Sequence, residues 1–396
     1  LVPLRIPSTL RDSLMARLDR QHPGREVAQL GAVVGREFNQ PLIEALWGQS
    51  SAALYEGLAQ LVEAELLQRR GLGAGARYLF KHVMLQEVAY ESLLRRTRED
   101  YHARIVQVLE ERFPDIGAAQ PEVLAHHYTG AGHLEHAIPL WLQAAERAIE
   151  TSSHAEAIAH VTKAIELQGL LPVDGNLEDK LRSEITLQIR LGVSLTALRG
   201  YAAEEVERAY ARARELCYRI NAQDLLLPSV YGLWRFHLMR ADYAGAGGLS
   251  QELLQLARRF DSPEFLVVGQ RALGSSLFYT GKLQAARAAM DEVLSLPADQ
   301  HQRVQAFRYD VVDARVTAAA YRAWCAWLMG DDAAALRDSE QAITTARELQ
   351  HPFSHALSLS FAGWMHQFRG ELSALRAAAM EALVIAHEHG FEFWIG

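Results

Sequence analysis

Two polar residues, Lys81 and His82, stand where a short strand-like run, "RYLF", gives way to the apolar-periodic "VMLQEVAYESLL". A histidine at such a junction can cap the helix or pack locally. It can also meet an anion, because the first-turn amides of a helix are free donors carrying the positive end of the dipole. The chain has 16 histidines, and "HHYTGAGHLEH" gathers His126, His127, His133 and His136 into one short stretch. On a helix His126 and His127 point roughly 100° apart, and Gly130 to Gly132 interrupts the helix before the other two. With no HExxH and no paired cysteines, these residues read as ordinary polar and core histidines, and no metal site is expected.

Other motifs fall away on their context. "GLGAGA" (71 to 76) is followed by a strand-like run rather than a helix, and no Lys-Ser or Lys-Thr accompanies it, so it reads as a hairpin turn and not a phosphate loop. "TGKL" (280 to 283) has Leu283 after its lysine and fails likewise. No carboxylate pair, GxSxG elbow or Cys-His arrangement has supporting context, so catalysis within these residues is not expected.

Composition is that of an ordinary globular chain: 396 residues, 49% hydrophobic and 22% charged. A net charge of -8 argues against nucleic acid as a main partner. Cys217 and Cys325 are the only cysteines, which suits a reducing, cytoplasmic setting. No apolar run is long enough for a membrane span, and no membrane partner is expected. The chain begins at Leu1 without methionine and ends on the apolar "FEFWIG", which reads as a piece of a larger protein, truncated at its C-terminus.

The elements expected to position these residues divide the chain in three. Residues 1–114 read as four helices, a hairpin around the glycine-rich turn, and further helix, the order of a winged-helix module. Its "SSAALYEGLAQLVEAELL", the usual DNA reader, carries Glu56, Glu63 and Glu65 and no Lys or Arg, so no direct DNA binding is expected. Residues 115–169 hold first helices with tetratricopeptide spacing, at Leu124, Ala125, Tyr128, Gly132, Ala137, Trp141 and Ala144. Residues 170–396 continue as a superhelix of helix pairs after a break at "LLPVDGNLED". Gly281, Gly330 and Gly370 mark inter-helix turns, and Trp324 and Trp364 lie 40 residues apart at one point of the first helix. The period is therefore near 40. The Gly281–Gly330 interval is 49, its excess falling in "PADQHQRVQAFRYDVVD" as a long loop or helix extension. Gly274, Ala323 and Gly363 should let paired helices approach, with Met290 or Trp141 filling the space opposite. The fold class expected is mostly α: a winged-helix module followed by a tetratricopeptide-like α-α superhelix.

"IPSTLRDSLMARLDR", "VAQLGAVVGREF", "FKHVMLQEVAYESLL", "HARIVQVLEERFP" and "PEVLAHHYTGAGHLEHAIPLWLQAAERA" resemble the region after the ATPase core in bacterial STAND-type AAA ATPases with a tetratricopeptide tail. Such proteins often carry a class III adenylate/guanylate cyclase domain. The resemblance implies an upstream P-loop ATPase that binds ATP or ADP with Mg, with which these residues would act as a relay. It also implies a role for His82. In related switch ATPases the histidine of a Met-His-Asp motif on the winged helix contacts the β-phosphate of ADP. His82 stands at the matching place, with Lys81 for Met and Val83 for Asp. The chain is thus expected to be a non-catalytic regulatory fragment, its superhelix sensing a protein or peptide. Two alternatives stay open: the tail of an ATP-dependent transcriptional regulator whose DNA-binding domain lies outside these residues, or a free-standing repeat scaffold. Trp234, Trp324 and Trp364 fit inter-helix packing at least as well as a binding groove.

Overall fold

A computed structural model describes residues 8–20, 24–71, 73–151, 153–172, 176–296 and 312–395. The chain divides into two compact units, residues 1–172 and 173–396. The described residues are mostly helical, and none of their helices is long and apolar enough to cross a membrane.

The first unit opens with α1 (Ser8–Asp19), α2 (Gly24–Val34), β1 (Glu37–Asn39), α3 (Gln40–Trp47) and α4 (Ser51–Glu63). A hairpin of β2 (Leu67–Arg70) and β3 (Arg77–Phe80) follows, then α5 (Val83–Glu91) and α6 (Arg95–Arg112). Local sequence explains the boundaries. Asn39 accepts a hydrogen bond from the Leu42 amide at 2.8 Å and Pro41 occupies the first turn of α3, while Gly48 ends it in the left-handed region at φ 67°. The glycine-rich stretch is a hairpin turn, with Gly71 and Gly73 at positive φ and a short 3-10 turn over Gly73–Gly75. The sheet is antiparallel in the order β1-β3-β2, with Phe38 opposite Tyr78 and Leu67 opposite Phe80. Strand β1 was not expected from the sequence. Phe38 stacks on Tyr78 at 5.7 Å, and Gly31 of α2 leaves room for the Phe38 ring, since a Cβ there would lie 2.5 Å from it. One core joins Ile43, Leu46, Leu58, Leu61, Phe80 and Val88 and runs on to Ile105, Leu109 and Leu124.

Helices α7 (Pro114–Ala119), α8 (Pro121–Gly130), α9 (Leu134–Glu150) and α10 (His154–Leu170) complete this unit. Gly132 turns between α8 and α9 at φ 80°, as its repeat position requires.

The second unit is a stack of helix pairs: α11 (Leu177–Arg199) with α12 (Glu204–Ile220), α13 (Gln223–Met239) with α14 (Tyr243–Phe260), and α15 (Pro263–Tyr279) with α16 (Leu283–Ser295). Then come α17 (Ala314–Leu328) with α18 (Asp332–Glu348), and α19 (Pro352–Arg369) with α20 (Leu372–His389) and the short α21 (Glu392–Ile395). Neighbouring helices pack in sequence order, and the first helices α11, α13, α15, α17 and α19 also pack successively on one another, forming an inner layer. The turn positions repeat: Gly281, Gly330 and Gly370 have φ of 74°, 85° and 73°, and Ala241 holds the equivalent place at 58°. Gly274 does admit Met290, whose Cε would lie 2.6 Å from a Cβ at that position. Most of the expected loop or extension after Pro297, residues 297–311, lies outside the described residues.

Candidate functional site

His82 is the residue immediately before α5, with extended backbone at φ -128° and ψ 136°. Its carbonyl accepts the Leu85 amide at 3.0 Å, but its imidazole makes no capping bond, and the side chain is exposed. The sequence left two local roles open, a side-chain cap and a packed ring, and the structure displays neither. Lys81 beside it pairs with Glu65 at 3.1 Å, and its amide donates to the Leu66 carbonyl at 3.1 Å.

The four histidines of "HHYTGAGHLEH" separate into two groups. His136 stacks on Tyr128 at 5.2 Å and His133 lies beyond it, at 6.2 Å from the same ring. His126 and His127 instead converge on His102 of α6, which the sequence analysis passed over. The ring centroids are 5.5 Å apart for His102–His126, 5.1 Å for His102–His127 and 5.2 Å for His126–His127. His102 Nδ1 and His127 Nδ1 share a hydrogen bond at 2.9 Å, and Tyr90 Oη holds His102 Nε2 at 3.1 Å. The backbone is shaped for this: a Cβ at Gly130 would come within 2.4 Å of the His102 ring.

His102 and His127 are fully buried, whereas His126 is exposed. Burial first, then His126 and Arg98, push His102 down to about 4. Burial, His126 and His102 push His127 down to about 2. Desolvation by its neighbours first, and then the Lys163 ammonium, lower His126, although the residue keeps solvent access. All three are therefore neutral at pH 7 and keep nitrogen lone pairs. One signal was legible: His102 precedes Ile105, Val106 and Leu109 on the buried stripe of α6, so its polar ring needed a buried partner.

The inner layer of the second unit, joined by Tyr243 at the start of α14, carries a run of aromatic rings. Tyr243 stacks on Tyr279 at 5.5 Å, and Tyr321 Oη donates to Tyr279 Oη at 3.2 Å. Phe278 meets Trp324 at 5.7 Å, Trp324 stacks on Phe361 at 4.5 Å, and Trp324 meets Trp364 at 5.4 Å. Trp327 stacks on Phe368 at 5.3 Å. The three tryptophans singled out by spacing thus have different fates. Trp234 is wholly buried, donating to Ser276 Oγ at 3.0 Å, and Trp324 is half-buried, donating to the Phe361 carbonyl at 3.1 Å. Trp364 remains 44% exposed, one turn from Phe368 at 63%. The two cysteines are buried free thiols pushed up to about 11 by burial, unsuited to nucleophilic work.

No family model matches the chain. An uncharacterized protein of Rhizobium meliloti (strain 1021) is 24% identical over 387 residues, covering 96% of this chain. The chain spans 37% of that relative's length. Among solved structures, the apo form of RapI superposes with a TM-score of 0.50 at 10% identity, over 97% of this chain and 99% of that one. A signal transduction ATPase with numerous domains and a tetratricopeptide repeat sensor, from Pyrococcus horikoshii, gives a TM-score of 0.45 at 11% identity. That match covers 94% of this chain and 64% of that one. The fold is mostly α-helical with a tetratricopeptide-like stack of helix pairs.

Proposed function

We propose that these residues form a non-catalytic regulatory region of a cytoplasmic multidomain signal-transduction ATPase, whose tetratricopeptide-like superhelix binds a protein or peptide. The observation that carries this reading is the inner-layer aromatic run ending in exposed Trp364 and Phe368. Large rings left in water side by side on a rigid helix cost little to order and give up apolar area to a partner, as interface anchors do. Peptides selected from a random displayed library on the wild-type chain test it. In a Trp364→Ala/Phe368→Ala double variant their affinity should drop at least about tenfold, the loss of one or two anchors. Peptides that bind the double variant as tightly as wild type would refute the surface.

The first unit, read as a winged helix, would pass occupancy of the superhelix to an upstream ATPase domain holding ATP or ADP with Mg. The exposed Glu56 and Glu63 on α4 favour this relay over reading of DNA phosphates. His82 would contact the ADP phosphate, its uncommitted imidazole standing beside the first-turn amides of α5. In the parent protein His82→Ala should speed ADP release, and unchanged ADP retention would remove His82 from the switch. A fused class III cyclase domain would be the output in this scheme.

A further inference from the structure

We propose that His102, His126 and His127 form a binding site for one divalent cation of the zinc class, with the fourth position open to solvent at His126. Three observations combine. The candidate ligand atoms of the three side chains all lie within 4.8 Å of one another. Three imidazoles on a tetrahedral ion at 2.0–2.1 Å would have centroids roughly 5.2 Å apart, and the observed separations are 5.1, 5.2 and 5.5 Å. Finally, Tyr90 Oη lies 3.1 Å from the far nitrogen of His102, where it would accept the Nε2 proton of a ligating ring and leave the Nδ1 lone pair for the ion.

A hydrogen-bonded pair alone would account for His102 and His127, whose Nδ1 atoms lie 2.9 Å apart. It would not account for the third ring, edge-on to both at 74° and 70°. Two nitrogens on one tetrahedral ion stand about 3.3 Å apart, so the pair needs to open by only a few tenths of an ångström. Neutral imidazoles select borderline cations such as zinc(II), cobalt(II) or copper(II) over magnesium or calcium, which take oxygen ligands. The charge of Arg98 reaches His102 and that of Lys163 reaches His126. Their charge works against a dication and favours hydroxide, chloride or a carboxylate as the fourth ligand.

The test is to strip the full 396-residue chain with chelator and titrate it with cobalt(II), then displace with zinc(II). One equivalent should produce the intense visible absorption of a tetrahedral site. His126→Ala, an exposed position whose helical circular dichroism should match wild type, should weaken binding about 100-fold. Tyr90→Phe should weaken it roughly tenfold, the outer-partner range. His133→Ala, on the other side of Tyr128, should leave it unchanged. Cobalt that stays six-coordinate at one equivalent, or binding indifferent to His126→Ala, would overturn the proposal.

Discussion

Tyr210 on α12 stands between two glycines: Gly192 on α11 and Gly232 on α13. A Cβ at position 192 would lie 2.6 Å from Tyr210 Cζ, and one at 232 would lie 2.5 Å from Cδ1, Cε1 and Cζ. The ring is 7% exposed and gripped from both sides, so it cannot swing away. In an ordinary helix interior, Gly→Ala stabilises by about 0.8–1 kcal/mol. Overpacking a closed core costs about 1–3 kcal/mol. Gly192→Ala and Gly232→Ala should therefore each fail to stabilise and lose up to about 2 kcal/mol. Gly247→Ala and Gly248→Ala in α14, whose Cβ atoms would meet nothing within 4 Å, should gain up to about 1 kcal/mol each. Tyr210→Leu takes the ring away, and on that background Gly192→Ala should turn neutral or stabilising, a coupling of about 1–3 kcal/mol. Urea unfolding gives the stabilities, and amide hydrogen exchange over α11 to α13 localises them. If Gly192→Ala and Gly232→Ala stabilise as Gly247→Ala does, close approach to Tyr210 is not what these glycines serve.

Ala241 occupies the turn position held elsewhere by glycine, at φ 58°, so Ala241→Gly should raise the urea midpoint by about 0.5–1 kcal/mol equivalent, the relief of a left-handed alanine; a fall would show that chain entropy outweighs the strain. Arg322 grips both oxygens of Asp338 at 2.9 and 2.7 Å and Asp291 at 3.0 Å, binding α17 to α16 and α18. A lysine cannot reproduce that fork, so Arg322→Lys should cost about 1–2 kcal/mol in equilibrium unfolding, and a neutral result would refute the bridging role. Glu371 is held down to about 2 by Arg369 first and then His366. A depressed carboxylate contributes stability that is present above its unfolded value near 4.5 and lost as pH falls towards 2. Wild type and Glu371→Gln should therefore differ at pH 6 and converge near pH 2 in denaturation curves; a difference that persists at pH 2 would exclude the charge as its source.

Sequence legibility followed the range of the signal. Turn glycines were readable because positive φ demands a residue type at one position: Gly132, Gly281, Gly330 and Gly370 all meet it. Ala241 meets the same demand with the wrong residue, so its turn carried no mark. Strand β1 was missed because three residues are too few to show a period, and its partner β3 lies some forty positions away. His102 escaped for a related reason. Its meaning comes from His126 and His127 on another helix, and a search for spacing within one segment cannot join them. The 40-residue interval brought Trp324 and Trp364 together correctly, yet only packing decides that one is half-buried and the other open to water.

Because helices α11 to α20 pack in sequence order, the main contacts in that stack join adjacent or next-but-one helices rather than distant parts of the chain. Such a polypeptide closes spans of one or two helices at a time and never the length of the whole chain. Each pair can settle on the one before it as it leaves the ribosome, N-terminal end first, with no strand waiting for a distant partner. Trp364 and Phe368 belong to the fifth of these pairs, so the exposed aromatic surface forms only after the four pairs before it have been made. A nascent chain would thus acquire this aromatic surface after the scaffold that supports it.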